Sequence, residues 1–311
     1  MPGTNLTRDE ARTRALLLTV HSYEVALDLT GSGATFRSTT VVRFGCTRPG
    51  SATFADLVGA TVHEIELNGR ALDPATAYRD SRIALEDLEA DNELRVVADC
   101  VYSRTGEGLH RFVDPADDRT YLYTQFEVPD ARRVFTTFEQ PDLKAIFAFT
   151  VTAPAHWQVV SNSPTPEPEP VGDGVSVWRF APTKPMPTYI TALVAGEYHV
   201  VRDSFAGRDD AIPLGVFCRQ SLADHLDVDD IVEITKQGFG FFESAFEMGY
   251  PFGKYDQLFV PEYNMGAMEN AGCLTFRDEY IFRSRQTAAA YETRANTILH
   301  EMAHMWFGDL V

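Results

Sequence analysis

Between Ser22 and about Val201 the sequence alternates apolar and polar residues in short runs, at 23–29, 39–44, 62–67, 94–97 and 146–151. A period of two sends successive side chains to opposite faces of an extended chain, so these runs predict β-strands with one face toward a core. The same period argues against a helical first half. Turn residues separate the runs. Asn68-Gly69 after the third predicts a two-residue hairpin, because both residue types accept positive φ. Gly31-Ser32-Gly33 predicts a turn rather than a phosphate loop, since it lacks the third glycine and the helix that such a loop needs. Pro164, Pro166, Pro168 and Pro170 alternate with polar residues and predict a solvated extended loop. Strands joined by short turns pair antiparallel, so the first part of the chain is expected to be mostly antiparallel β.

Past residue 202 the period changes. One more strand, 212–218, precedes a helical stretch at 228–248, where Ile231, Ile234, Phe241, Phe242, Ala245 and Phe246 predict a core face. A second helical pattern begins near Ala288 and continues to Phe307. The change of period places a domain boundary near Val201, giving domains at 1–201 and 202–311 and an α+β fold class.

Composition narrows the function. The 311 residues carry 45 acidic against 27 basic side chains, a net charge of −18, which repels phosphate backbones and argues against a nucleic-acid partner. The apolar run 15–20 is too short for a signal peptide and follows Asp9 and Glu10, and no segment is long and apolar enough for a membrane span. Cys46, Cys100, Cys218 and Cys273 lie far apart without C-x-x-C spacing, which fits a reducing, cytoplasmic location. Only four of the 27 basic residues are lysine, an arginine bias that points to GC-rich coding and a bacterial source.

His300-Glu301-Met302-Ala303-His304 is an H-E-x-x-H on a predicted helix. At about 100° per residue, His304 falls about 40° from His300 and Glu301 about 100° away, so the three share one side. Ala295, Ile298, Leu299, Met302 and Trp306 cluster on the other. Two neutral imidazoles one turn apart can reach one zinc ion, and the carboxylate between them can take a proton from water. His63-Glu64 lacks a second histidine at the right spacing and sits in a strand pattern, so it is read as surface.

A second block, Gly266-Ala267-Met268-Glu269-Asn270, precedes this helix. Together, G-A-M-E-N and H-E-x-x-H-x-W resemble the aminopeptidase N family of zinc metallopeptidases. Trp306, Phe307 and Gly308 follow the second histidine as they do there, with Asp309 in place of the more usual asparagine. Thr124-Gln125-Phe126-Glu127 and Phe138-Glu139-Gln140-Pro141 extend the resemblance toward the amino end. It implies a saddle-like β domain followed by the start of a thermolysin-like catalytic domain, with zinc on His300 and His304 and Glu301 as the catalytic base. It further implies peptide substrates with a free N-terminal amine, held by Gln125, Glu127 and Glu269, with Gly266, Ala267, Met268 and Asn270 in the substrate-binding segment. A carboxylate cluster suits an ammonium ion, since an α-amine of pKa about 7.7 to 8.0 is mostly cationic at neutral pH.

The family takes a third zinc ligand, a glutamate about nineteen residues beyond the second histidine, and a later tyrosine. Neither falls within residues 1–311, so the sequence is expected to be the amino-terminal part of a longer bacterial enzyme, inactive alone. Two other readings stay open at this point: an epoxide hydrolase of the leukotriene-hydrolase branch, and a peptide-binding fragment without turnover.

Overall fold

In the computed structural model, which describes residues 5–310, the alternating runs are strands, each longer than its core of strict alternation. Leu18–Asp28 buries every second residue along most of its length, as period two requires. The chain forms two compact units, interleaved in sequence. One comprises residues up to His110, Gln125–Ala155 and Pro166–Thr191; the other comprises Arg111–Thr124, His156–Thr165 and the chain from Ala192 on. A cut at Val201 falls inside the strand His199–Ala206, which belongs whole to the second unit. Period cannot reveal this, because both units have strands there.

The first unit is built on an eight-stranded sheet in the order Glu169–Gly172, Val175–Arg179, Ile146–Pro154, Leu18–Asp28, Thr35–Cys46, Asp91–Val101, Thr61–Leu67 and Arg70–Leu72. All its neighbours are antiparallel except Leu18–Asp28 against Ile146–Pro154. On that parallel pair Tyr23 and Phe147 are in register and stack at 4.8 Å, a cross-strand contact at the centre of the core. The expected hairpin is present: Leu67 faces Arg70 across Asn68 and Gly69, with φ of 53° and 76°.

Two features of this unit depart from the sequence reading. The apolar run 15–20 is divided, its first residues ending the helix Arg8–Leu17 and the rest opening Leu18–Asp28. The helix starts on a capping box, in which the Thr7 side chain accepts from Glu10 N and Glu10 accepts from Thr7 N. Pro170 lies in the exposed edge strand Glu169–Gly172, where a missing N–H costs no interior ladder bond.

The second unit carries a five-stranded mixed sheet in the order His199–Ala206, Ala211–Cys218, Tyr255–Val260, Cys273–Arg277 and Ala267–Met268. Ala211–Cys218, Tyr255–Val260 and Cys273–Arg277 run parallel, and the helix Val228–Phe246 makes the crossover between the first two. Ile231, Val232 and Phe239 of that helix are buried, whereas Phe241 is 67% exposed and Ala245 is exposed. Ile234, Phe242 and Phe246 pack, partly buried, against the same core, so the expected face holds at four of its six positions; 241 lies two residues, about 200°, from the buried 239 and turns to solvent. The helix stops at Phe246 because Glu247 turns left-handed.

Candidate metal centre

The helix Ala288–His304 starts on Thr287, whose side chain accepts from Ala290 N. Ile298 and Met302, with Met305 and Trp306 just beyond it, enter the core of the second unit. Ala295 and Leu299 are only half-buried. Leu299 and Met302 close over Gly238 of the neighbouring helix, where an added Cβ would sit 2.5 Å from Leu299 Cδ2. Sequence reasoning missed Arg294, which is 1% exposed and bridges to Asp227 and Asp230 at 2.8 and 2.6 Å, tying the two helices together. Its only signal was a basic residue on an apolar stripe.

This packing presents the motif. His300 is exposed, His304 half-buried, and Glu301 only 6% exposed. The two Nε2 atoms lie 3.2 Å apart, with the rings at 83° to each other. His304 Nδ1 sits 3.1 Å from the carbonyl oxygen of Phe307. A carbonyl oxygen only accepts, so Nδ1 carries the proton and Nε2 presents a lone pair to the motif face. The helix ends at His304, three residues earlier than its pattern suggested. Met305 N and Trp306 N bond three residues back, and Gly308, at φ 127°, lets Asp309 N reach His304 O at 3.1 Å. That reversal delivers the Phe307 carbonyl to His304.

Opposite the helix lies the Gly266–Asn270 segment. Ala267–Met268 pairs antiparallel with Cys273–Arg277 at the edge of the five-stranded sheet. Arg277 N donates to Gly266 O and Cys273 N to Asn270 O, closing the turn that holds Glu269. Met268 and Asn270, both read from the sequence as substrate-binding, are each 1% exposed, so their side chains build the turn rather than line an open surface. Asn270 Nδ2 donates to Thr275 Oγ1 at 3.2 Å, and Thr275 Oγ1 shares a 2.8 Å hydrogen bond with the Tyr263 hydroxyl. Thr275 and Tyr263 carry no sequence signature; the only hint was that Thr275 would face Met268 if the segment folded back as a hairpin.

Glu269 remains half-buried, and its carboxylate, that of Glu301 and a ring nitrogen of His304 lie within 4.8 Å of one another. Burial pushes the phenol of Tyr263 well above 10, with the nearby Tyr123, Glu301 and Glu269 adding to the rise. Tyr255 is raised by burial too, and by the charge of Glu301. Both therefore stay neutral. Gln125, the last residue of the strand Thr120–Gln125 and 6% exposed, and the exposed Glu127 belong to the first unit.

The donor set suits zinc. Two imidazole nitrogens bound at 2.0–2.1 Å with tetrahedral angles stand about 3.3 Å apart, close to the separation of the two Nε2 atoms. The Phe307 carbonyl fixes the tautomer that ligation requires.

Residues 91–190 match the peptidase M1 N-terminal domain and residues 231–311 the peptidase family M1 domain. The chain is 63% identical to an aminopeptidase N of Streptomyces lividans, over 100% of this chain and 36% of that protein. An aminopeptidase N of Acetobacter pasteurianus is 35% identical over 63% of this chain and 54% of its own length. Aminopeptidase M1 of Arabidopsis thaliana is 33% identical over 63% of this chain and 22% of its own. The chain thus spans about a third of the length of the Streptomyces relative.

Proposed function

Since this chain belongs to peptidase family M1, we propose that the protein it represents is a zinc aminopeptidase, releasing residues from the amino end of peptides. The observation that carries the reading is the meeting of two kinds of group in one place: paired imidazoles suited to a metal, and Glu269 within 4.8 Å of the same histidine and of Glu301. An ion held by His300 and His304 supplies Lewis acidity toward a carbonyl and toward water.

The remaining chemistry is assigned to the chain's own residues. Glu301, buried beside the imidazoles, takes a proton from the attacking water and returns it to the leaving amine. Glu269 accepts hydrogen bonds from the substrate ammonium, and this charge pair sets how far a peptide can enter. With the amine held, the first peptide carbonyl is the one that reaches the metal face, so the anchor makes cleavage exopeptidic. Ala267 opens, and Gly266 immediately precedes, the edge strand Ala267–Met268, bonded on one side only to Cys273–Arg277, which supports backbone pairing with an extended peptide along the open side. Gln125 and Glu127 are proposed as further acceptors for the amine. Residues 202–311 are proposed to begin the catalytic domain. Free thiols at all four cysteines support a reducing, cytoplasmic setting.

The test is hydrolysis of aminoacyl amides by the protein as its gene encodes it, with and without a chelator, beside the same amides acetylated on nitrogen. Activity on the free amine alone, lost with chelation and restored by zinc, is the expected result. Equal cleavage of the acetylated amides, or activity indifferent to chelation, would refute the reading.

A further inference from the structure

Tyr280 joins the two walls of the site one helical turn away from Glu301. It ends the short helix Asp278–Tyr280, its carbonyl accepts from the buried Arg294 at 3.2 Å, and its ring packs, partly buried, against the core of the second unit. Its hydroxyl stands 3.1 Å from Thr297 Oγ1 on the helix Ala288–His304. On the strand side, a Cβ added to Gly266 would stand 3.5 Å from the same hydroxyl. Proton counting fixes what this group can do. Thr297 Oγ1 donates to the carbonyl of Thr293 at 2.9 Å, and a hydroxyl has a single proton to give. The bond between Tyr280 and Thr297 therefore runs from phenol to threonine, and Tyr280 Oη is left an acceptor that no other group among the described residues occupies.

The helix sets where this acceptor lies along the site. Thr297 precedes Glu301 by one turn, about 6 Å, and Gly266 precedes Glu269 by three residues. A peptide held by its amine at Glu269 and paired along the open side of Ala267–Met268 leads back toward Gly266. An extended chain advances about 3.3 Å per residue, so its third nitrogen lies about 7 Å from its first, level with Tyr280. We propose that Tyr280 is a specificity-determining residue whose phenol oxygen accepts the N–H of the substrate's third residue. The proposal rests on the aminopeptidase reading and on Glu269 as the anchor of the amine. In a dipeptide a carboxylate takes the same place, with no proton to give and facing an oxygen that has none free. Peptides of three or more residues are therefore preferred to dipeptides.

The experiment is steady-state hydrolysis of alanyl-alanine N-methylamide and alanyl-alanine methyl ester by the protein as its gene encodes it and by Y280F, read as alanine released. The two substrates share the scissile bond and differ in one N–H replaced by oxygen. The parent is expected to favour the amide about fivefold or more in kcat/KM, and Y280F to bring that ratio below about twofold. A purely structural role for Tyr280 would lower both rates together. A ratio that Y280F leaves unchanged, or a parent that cleaves both substrates alike, overturns the proposal while the aminopeptidase reading stands. If the parent releases alanine from neither, that reading falls and this one with it. Should Y280F fail to fold, T297V gives a second measure. It takes away the acceptor of the Tyr280 proton, so the phenol can donate to the ester and the preference for the amide should fall about threefold or more. An unchanged preference overturns the proposal.

Discussion

His300 and His304 place their Nε2 atoms 3.2 Å apart across one helical turn, and the Phe307 carbonyl, 3.1 Å from His304 Nδ1, fixes which nitrogen faces the partner histidine. The face carrying the two imidazoles is therefore held from both ends, by a packed helix before it and a backbone reversal after it.

That reversal depends on Gly308. Its φ of 127° is a conformation essentially restricted to glycine, and a Cβ there would sit 3.1 Å from His304 Nδ1. Gly308→Ala should destabilise the second unit by about 1–3 kcal/mol through backbone strain and weaken zinc binding several-fold by displacing the ring. Denaturant unfolding and zinc titration of the variant measure the two effects. An unchanged zinc affinity would show that the reversal does not set the ligand.

Loss of the amine anchor should show in catalysis. Glu269→Ala is expected to lower kcat/KM for free-amine amides by the equivalent of about 2–5 kcal/mol, the usual cost of removing one member of a desolvated charge pair. Steady-state kinetics on free and N-acetylated amides check it. Equal efficiency of parent and variant on the free amine would remove Glu269 from that role.

Thr275 is 0% exposed and joins Asn270 to Tyr263 through one hydroxyl. Thr275→Val keeps the shape and removes both bonds, so a loss of about 1–3 kcal/mol is expected from the buried polar groups it leaves behind. Because Asn270 adjoins Glu269, KM for free-amine amides should rise more than kcat falls. A stability change with no shift in KM would confine Thr275 to a folding role.

Glu139 gives the first unit a pH dependence. Burial pushes its carboxyl up to about 7, against hydrogen bonds from Thr188 and from Arg132 N that favour the ionised form. The folded value lies above the unfolded one, so the neutral acid is favoured in the fold. Its contribution is complete below about pH 4.5 and declines as pH rises through about 7. Over that window the parent should lose up to about 3 kcal/mol relative to Glu139→Gln, which has no proton to lose. Urea unfolding of both proteins at pH 5 and pH 8 reads the difference. A constant gap between them would contradict the shift.

The sequence by itself determined the local facts, because local rules act within a few residues. Alternation placed the strands from 23–29 onward, Asn68-Gly69 specified its turn, and the four-residue spacing of His300 and His304 put two imidazoles on one helix face. The same residues, with the Gly266–Asn270 block, carried the family. Tertiary structure decided what depends on partners distant in the chain. It sorted 111–124 and 156–165 with the later residues, turned Phe241 outward and Arg294 inward, and buried Met268 and Asn270 to shape the turn bearing Glu269. It also brought Glu269 to within 4.8 Å of Glu301 and His304, thirty-two residues on from Glu269 to Glu301. Such a distance is fixed by which strand lies at the sheet edge and how a helix packs beside it, and no spacing rule along the chain encodes it.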